Sequence, residues 1–379
     1  MKHFGPLKPH WLAQVTSGFK RHPDKDVANP AIPIYSNAVY FFNQRASTTQ
    51  PPSSLRLDII SHVFYAFASD DTLTISRLGP DGVVYLADVE KDMQMQIDGA
   101  LGCMRAFQSL KRTYPHLKPI LSIGGATGGA NFAAVAADPA KRTTCANTAR
   151  TVIDLYGFDG IDIDWEYPEP GQQSSDYIQL LATLRERLPG PRYVLTTALP
   201  AGQWVLARID LRQAATYLDL LNLMAYDYCG DWDPKISGHQ AQLHCPAGGP
   251  YTQCAVDYAL SQGFPANKIL LGCPTYGWAF LGCDNINQPF SACGGQGGAF
   301  DYRDLPRPAA QEFVDENAVA AFCVGGDGGF VTYDNPRTVQ LKAKYVKEKR
   351  LGGMFFWHAS SDAEGPRSLV YASYTELHC

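Results

Sequence analysis

Three carboxylic side chains stand at every second position near the middle of the chain. Asp162, Asp164 and Glu166 alternate with apolar residues across the stretch 161–166. Because successive side chains of a β-strand point to opposite faces, this alternation predicts a strand with the three carboxylates on one face, about 6.5–7 Å apart. Like charges at this distance cannot all ionise freely, so at least one carboxyl pKa should rise. A carboxyl group with a raised pKa can act as a general acid.

The residues around this strand decide between two interpretations of its acidic face. Apolar side chains dominate the approach over residues 152–158, and Tyr167 and Pro168 end the strand. A solvated edge strand with an acidic face would not need such an approach, and like charges on one face would destabilise it. The pattern therefore favours a buried strand whose carboxyl end opens into a site.

The same stretch resembles the signature of a known enzyme family. Asp159, Asp162, Asp164 and Glu166 occur at the spacing Asp-x-x-Asp-x-Asp-x-Glu within residues 158–168, FDGIDIDWEYP. This pattern is similar to the signature of the family-18 glycoside hydrolases, the chitinase family. The resemblance implies that Asp159 supports the site and that the other three carboxyl groups are catalytic.

A second family pattern ends the third predicted strand. Ser122-Ile-Gly-Gly125 resembles the Ser-x-Gly-Gly motif, which implies a supporting role for Ser122 and a substrate contact at Gly125. Glycine there allows the backbone to approach a ligand closely, although a tight turn would also explain it. The family often continues with Trp, an aromatic platform for the leaving group, but this chain has Ala126. The resemblance therefore predicts weak stacking at the first leaving-group position.

Two further patterns resemble the family at the ends of the sixth and eighth predicted strands. Met224-Ala-Tyr226-Asp227 is similar to the Met-x-Tyr-Asp motif, and Trp357 ends the eighth strand. The resemblance implies that Tyr226 bonds the substrate N-acetyl oxygen, Met224 packs beneath the sugar, Asp227 contacts its polar rim and Trp357 forms the floor. A buried Tyr with a paired hydroxyl and a core Trp are the structural alternatives.

The resemblance also extends to aromatic residues near other strand ends. It implies substrate contacts from Tyr40, Phe67, Tyr167 and Tyr276. Relatives often carry Arg two positions after the last of these, where this chain has Trp278. We expect stacking to replace a polar contact at that position.

The family implies a substrate-assisted, retaining hydrolysis of β-1,4-linked N-acetylglucosamine, an exception to the usual pair of catalytic carboxylates. Glu166 would protonate the leaving oxygen and act as general acid/base. The acetamido oxygen of the substrate would be the nucleophile, Asp164 would hold the acetamido N–H, and Tyr226 would orient its oxygen. Asp162 would share a proton with Asp164. No cofactor or metal is implied.

Two other functions use the same residues. An endo-β-N-acetylglucosaminidase acting on N-glycans would need the same carboxylates. A chitin-binding lectin on the same fold typically loses the last carboxylate of the signature, but this chain keeps Glu166. The sequence therefore favours a chitinase, with chitin and chitooligosaccharides as partners, over both alternatives.

The elements that position these residues form a repeating pattern of strand, loop and helix. Eight such units predict a (β/α)8 TIM barrel. We expect an N-terminal extension at 1–37, a catalytic barrel from 38–277 and 335–379, and a small α+β insertion subdomain at 278–334, between strands seven and eight. The predicted strands cover residues 38–42, 62–68, 119–123, 160–166, 193–198, 219–224, 269–275 and 353–357.

Helices are predicted from caps and apolar spacing between the strands. Ser174–Asp176 is expected to cap one helix, and 254–262 and 336–349 are expected to be two others. Gly263 and Gly352 stand where these last two should end.

Composition limits the partners. The 379 residues carry a net charge of −5 without a long basic run, so neither nucleic acid nor an anionic membrane surface is expected. No apolar run is long enough for a membrane helix, and residues 1–21 lack the apolar core of a signal peptide. The substrate favours an extracellular location, with a cytoplasmic location or unconventional export as alternatives. A monomer is expected.

The ten cysteines contain no Cys-x-x-Cys pair, and no histidine cluster accompanies them, so a metal site is not predicted. Cys245 with Cys254, and Cys283 with Cys293, have spacings that a disulfide could close, and buried free thiols are the alternative.

Overall fold

A computed structural model describes residues 35–42, 50–67, 75–232, 234–245 and 251–379 of the protein. Most of the predicted N-terminal extension lies outside these residues. The strands within the described ranges are β1 (Ser36–Phe42), β2 (His62–Ala66), β3 (Ile75–Leu78), β4 (Val84–Ala87), β5 (Gln96–Ile97), β6 (Ala100–Leu101), β7 (Lys118–Gly124), β8 (Gly160–Asp164), β9 (Val194–Pro200), β10 (Leu220–Met224), β11 (Ile269–Pro274), β12 (Tyr276–Leu281), β13 (Ala292–Cys293), β14 (Ala299–Asp301), β15 (Ala310–Asp315), β16 (Ala320–Gly325), β17 (Phe330–Tyr333) and β18 (Gly353–Trp357).

The helices surround these strands. They are α1 (Val89–Asp92), α2 (Cys103–Thr113), α3 (Phe132–Ala137), α4 (Pro139–Tyr156), α5 (Gln172–Arg187), α6 (Gln203–Leu206), α7 (Leu211–Tyr217), α8 (Thr252–Ser261), α9 (Pro336–Lys349) and α10 (Leu369–His378). None of the helices that the structure describes is long and apolar enough to cross a membrane.

Eight parallel strands close into a barrel, in the order β1, β2, β7, β8, β9, β10, β11 and β18, with β18 pairing back to β1. The predicted TIM barrel is therefore confirmed. The observed strand ends lie within two residues of the predicted ones. The prediction succeeds because nearly every residue of these short strands is buried, which requires continuous apolar or hydrogen-bonded side chains.

The register of the barrel brings polar residues to one level of its interior. Ser122 of β7 pairs with Asp162 of β8, which in turn pairs with Thr196 of β9. The alternating residues Ile161 and Ile163 face outward and are fully buried in the layer between strands and helices. The alternation thus separates a polar barrel interior from an apolar outer core.

Helix ends agree with the predictions less closely than the strands do. Helix α9 begins as predicted, with a capping box between Asn335 and Thr338. The predicted cap at Ser174–Asp176 is wrong, because α5 begins earlier, after Gly171. Gly263 follows the end of α8 with φ +83°, as expected of a residue that ends a helix. Helix α9 instead ends at Lys349. Its C-cap is Arg350, which has φ 56° and lies two residues before Gly352.

An antiparallel sheet, β12 to β17, fills the segment between β11 and β18. Its first strand, β12, begins at Tyr276, two residues before the expected boundary, and the division into a barrel and an insertion subdomain stays a prediction. A buried ion pair, Lys342 Nζ to Asp334 Oδ2 at 2.5 Å, joins α9 to the end of this segment, and Lys342 also bonds the Ala241 carbonyl. Neither Cys245 with Cys254 nor Cys283 with Cys293 forms a disulfide.

Candidate active site

The carboxyl ends of the barrel strands surround a cavity of about 820 Å³. Parallel barrels place their loops and functional residues at this end. The cavity is lined by Tyr40, Phe42, Phe67, Ala126, Thr127, Asp164, Glu166, Tyr167, Pro200, Ala201, Gly202, Gln203, Trp204, Met224, Tyr226, Asp227, Tyr228, Trp232, Tyr251, Cys254, Ala255 and Trp357.

Asp162 lies beneath the cavity and is fully buried. Its Oδ2 accepts hydrogen bonds from Tyr40 Oη at 2.8 Å and Ser122 Oγ at 2.7 Å. Its Oδ1 accepts from Thr196 Oγ1 at 2.6 Å and from Asn222 Nδ2 at 3.3 Å. Burial raises the pKa of Asp162, and these hydrogen bonds oppose the rise by stabilising the anion. The predicted catalytic residue is thus held below the site, without lining the cavity itself.

Asp164 has a different environment two residues further along the strand. Its side chain is buried, yet Oδ1 has no hydrogen-bond partner among the described residues. Burial raises the pKa of Asp164 well above its ordinary value, and the charges of Glu166 and Asp162 raise it further. No hydrogen bond joins Asp164 to Asp162 in the described part of the chain, so their predicted proton sharing stays a prediction. Asp164 borders the cavity, where a ligand could bond its carboxyl group.

Glu166 follows the end of β8 and borders the cavity next to Tyr167. Burial raises its pKa and the Asp227 carboxylate raises it further, while a hydrogen bond from the Tyr167 hydroxyl opposes the rise. Glu166 and Asp164 therefore both keep a proton at higher pH than free carboxyl groups do. A carboxyl group in this state can donate a proton to a bound ligand near neutral pH.

Tyr226 and Asp227 form the opposite part of the site. Burial raises the Tyr226 pKa well above its ordinary value, so its hydroxyl remains a hydrogen-bond donor. Asp227 has φ 60°, and its Oδ1 accepts from Tyr276 Oη at 2.6 Å and from Trp278 Nε1 at 2.8 Å. The expectation that stacking replaces a polar contact at Trp278 is therefore wrong, because the indole N–H supplies that contact. The Trp278 ring also meets the Trp232 ring edge to face, with centroids 5.4 Å apart.

Aromatic rings line the cavity along β1, β2 and β18. The ring centroid of Trp357 lies 5.3 Å from that of Tyr40, 6.0 Å from that of Phe67 and 6.5 Å from that of Phe42. We call these four residues the β1–β2 half of the cavity. Tyr40 also stacks on Phe64 at 4.7 Å, which joins this half to the barrel interior.

Besides Asp162 and Ser122, three residues predicted at the site lie outside the cavity lining. Gly125 has φ +79°, and a Cβ there would come within 2.5 Å of the Phe67 ring, so glycine accommodates an aromatic side chain rather than a ligand. Tyr276 reaches the site through its bond to Asp227 and through an edge-to-face contact with the Tyr226 ring, with centroids 6.3 Å apart. Asp159 lies at the opposite end of β8, where Lys111 Nζ bonds it at 2.7 Å. Burial raises the Asp159 pKa, and the Lys111 charge opposes the rise.

The sequence analysis missed two indole side chains that border the cavity. Trp204 is 60% exposed and follows β9, and Trp232 is 44% exposed and follows β10. We call these two residues the β9–β10 half. Their position after strand ends was the available signal, since the same rule located the other site residues. Neither belongs to the four patterns that carried the resemblance.

The comparisons with known proteins agree with this geometry. The family model described as glycosyl hydrolases family 18 matches residues 37–362. The chain belongs to glycosyl hydrolase family 18. Endochitinase 1 from Metarhizium robertsii is 35% identical over 370 residues, which cover 90% of this chain and 85% of that relative. Chitinase 1 from Aphanocladium album is 33% identical with the same two coverages.

A solved structure supports the same family membership. The GH18 chitinase from Cycas revoluta in complex with (GlcNAc)3 has a TM-score of 0.77 and 27% identity, covering 89% of this chain and 98% of that one. Within the described ranges of this family-18 chain, no three His, Cys, Asp or Glu side chains are arranged to hold a metal ion. The chemistry available from its own residues is proton transfer by paired carboxyl groups, beside a phenolic donor and an aromatic floor.

Proposed function

We propose that the protein is a chitinase, which hydrolyses β-1,4 linkages between N-acetylglucosamine units of chitin and chitooligosaccharides. The observation that carries the proposal is the row Asp162, Asp164 and Glu166, in which burial raises every pKa and the last carboxyl group borders the cavity. Family membership and relatives named as chitinases support it.

The mechanism follows from the roles that these side chains can take. Glu166 protonates the leaving glycosidic oxygen, and the acetamido oxygen of the bound sugar attacks its anomeric carbon to give an oxazolinium ion. Asp164 accepts the acetamido N–H on the oxygen that lacks a partner in the free protein. Tyr226 donates to the acetamido oxygen. Glu166, now ionised, then takes a proton from the water that opens the ring, so the configuration is retained.

Asp162 acts from below the cavity. Its four hydrogen bonds favour its ionised form, and its negative charge raises the pKa of Asp164. Asp164 can then carry the proton that lies between the two carboxyl groups. Tyr40, Ser122 and Asn222 hold Asp162 in place through the bonds described above.

The floor and rim of the cavity would bind the reacting sugar. Trp357 lies beneath it, with Phe67 and Met224 beside it, while Asp227 and Tyr167 contact polar groups. An endo-β-N-acetylglucosaminidase remains the second candidate, because it would use the same carboxyl groups. The relatives named as chitinases favour chitin.

The anomer of the first product and the requirement for an acetamido group test the mechanism. Proton NMR during hydrolysis of chitotetraose should show the β-anomer before mutarotation. Partly acetylated chitosan should be cut only after acetylated units, because the nucleophile belongs to the substrate. An α-anomeric first product, or efficient cutting after glucosamine, would contradict the mechanism. Release of N-glycans from a high-mannose glycoprotein without cleavage of chitotetraose would favour the second candidate.

The place where the protein acts is also a proposal. An insoluble, extracellular polymer as substrate favours secretion, and a soluble monomer would suffice for the reaction, since every proposed catalytic group comes from one chain.

A further inference from the structure

A second cavity, of about 590 Å³, lies on the face of β1 that points away from the barrel interior. Val39 and Phe41 line it, whereas Tyr40 and Phe42, which alternate with them along the strand, line the catalytic cavity. Its other walls come mainly from the segment 50–60, from the loop after β18 and from the start of α10. We call it the β1–α10 cavity. Among the described residues, it shares no lining side chain with the catalytic cavity.

Arg303, which follows β14, lines the β1–α10 cavity with an incompletely bonded guanidinium group. Its Nε and Nη2 are buried and have no hydrogen-bond partner among the described residues. These two nitrogens form one edge of the planar group, and such an edge binds a carboxylate through two parallel hydrogen bonds. The Asp301 carboxylate lies 3.7 Å from Nε, which is too far for a hydrogen bond. Because unpaired buried donors are unfavourable, an acceptor supplied by a ligand would be stabilised here.

The other donors at this cavity already have partners. The Arg56 guanidinium donates from Nε at 2.9 Å and from Nη2 at 2.7 Å to the Asp58 carboxylate. The N-terminus of α10 is occupied by Asp362, which accepts from the Leu369 backbone N–H at 2.9 Å. Of the described lining residues, Arg303 is therefore the cation with donors left for a ligand.

The rest of the lining indicates what such a ligand must carry. Gln50 Oε1 is a buried acceptor without a partner among the described residues, so it calls for a hydrogen-bond donor. Phe41 and Ile60 offer apolar surface to an apolar body. Asp362 and Glu364 also line the cavity, and their negative charges repel a dianion such as phosphate more than a monoanion.

We propose that the β1–α10 cavity is a binding site for a small organic monocarboxylate that has an apolar body and one hydrogen-bond donor. The carboxylate pairs with the Nε–Nη2 edge of Arg303, the donor bonds Gln50, and the apolar body packs on the outer face of β1. The inference is independent of the proposed chitinase function, because none of these residues lines the catalytic cavity.

The test uses one probe that carries all of these features and one that lacks the charge. The probe 3-phenyllactate has a carboxylate, a hydroxyl donor and an apolar ring, and 3-phenyllactamide has the same shape without the charge. Calorimetric titration of the wild-type protein near neutral pH should give a Kd of about 1 mM or lower for the acid, as expected of a ligand of this size. The amide should bind about tenfold more weakly, because it loses a charge-assisted pair. Equal affinities for acid and amide, or no binding of the acid, would overturn the inference.

A pair of variants places the binding at Arg303. Arg303→Gln should weaken binding of 3-phenyllactate about tenfold, and Arg303→Lys, which keeps the charge but not the two-donor edge, should recover part of the loss. Arg307→Gln is the matched control, since Arg307 lies outside the cavity lining and already bonds Asp327 through two nitrogens, at 2.8 and 2.7 Å. It should bind the acid as the wild type does.

Thermal unfolding without ligand checks that each variant folds. If Arg303→Gln did not fold, Arg303→Lys and the comparison of acid with amide would still decide the inference. Equal affinities of folded Arg303→Gln and Arg307→Gln for the acid would reject the proposed site.

Discussion

The two halves of the cavity hold their aromatic rings in different ways. In the β1–β2 half, Tyr40 is 1% exposed, and its hydroxyl bonds Asp162 while its ring packs on Phe64 and Trp357. In the β9–β10 half, Trp204 and Trp232 are exposed and lie beyond the ends of β9 and β10. One half is continuous with the barrel interior, and the other is attached to its rim.

This difference predicts that residues of the two halves affect different steps, the reaction in one half and substrate binding in the other. The buried half bonds the carboxylate row through Tyr40 and Asp162, so Asp162 has its position before a substrate arrives, as electrostatic preorganisation requires. The exposed half touches none of the carboxyl groups of that row by a described hydrogen bond. Changes near the row should therefore act on kcat, and changes at the rim should act on KM.

The largest expected effect comes from removing the proton donor. Glu166→Gln keeps the shape of the side chain but cannot donate an acid proton. It should reduce kcat about 100- to 10,000-fold, with oligosaccharide binding retained. Steady-state hydrolysis of chitotetraose and calorimetric binding measure the two parts. Glu186→Gln, on the exposed face of α5, is the matched control and should behave as the wild type. Near wild-type turnover by Glu166→Gln would show that the row is not catalytic.

The next effect concerns Asp164 and the pH profile. Asp164→Asn should reduce kcat on the order of 100-fold, because a group that stabilises the transition-state charge is lost. The Glu166 pKa is raised in the wild type, and the acid form is the active one, so activity falls as pH rises through that pKa. The Asp227 carboxylate contributes to that rise, so Asp227→Asn should lower the Glu166 pKa, because the charged form of Glu166 is then no longer repelled. The alkaline limb of kcat/KM should then move to lower pH.

A control at the other end of the same strand sharpens this prediction. Asp159→Asn removes the partner of Lys111 and should lower stability without displacing either limb of the profile. An alkaline limb that stays in place in Asp227→Asn, measured over the full pH range, would show that the Asp227 charge does not act on Glu166.

The smallest effect is expected at Trp278. Trp278→Phe keeps an aromatic ring against Trp232 but removes the N–H that bonds Asp227. Tyr276 still bonds that carboxylate, so KM should rise by no more than about tenfold, consistent with a net hydrogen bond of about 0.5–1.5 kcal/mol, while kcat changes less. Michaelis parameters on chitohexaose measure both. A loss confined to kcat would assign Trp278 to the buried half instead of the rim.

The parts of the molecule that could be predicted from sequence are those whose structure depends mainly on one factor, the burial of their side chains. Each barrel strand is short and buried, so its apolar pattern leaves little choice of structure. The carboxylate row was predicted for the same reason, because the alternation around Asp162 and Asp164 fits only a strand. The hairpins β3–β4 and β5–β6 were not predicted, since strands of two to four residues carry too little pattern.

The errors at the site come from contacts between residues distant in sequence. Gly125 was interpreted as a ligand contact, but the ring that requires a glycine there is Phe67. Stacking was expected to replace a polar contact at Trp278, but its N–H bonds the Asp227 carboxylate. Trp204 gave no periodic signal because it stands on a helix of four residues. Such contacts depend on how the strands assemble, which no local pattern contains.

The environment of Asp162 has a consequence for how the protein folds. Its hydrogen-bond donors come from β1, β7, β9 and β10, and Tyr40 is 122 positions away along the chain. A buried carboxyl group without these donors is strongly unfavourable, so any partly assembled barrel leaves it unsatisfied. Asp162 thereby raises the free energy of incomplete forms of the barrel. Contacts this distant in sequence form late in folding. The carboxylate row therefore links the cooperativity of folding to the closure of the barrel. The site is complete only when β1 has paired and Tyr40 bonds Asp162.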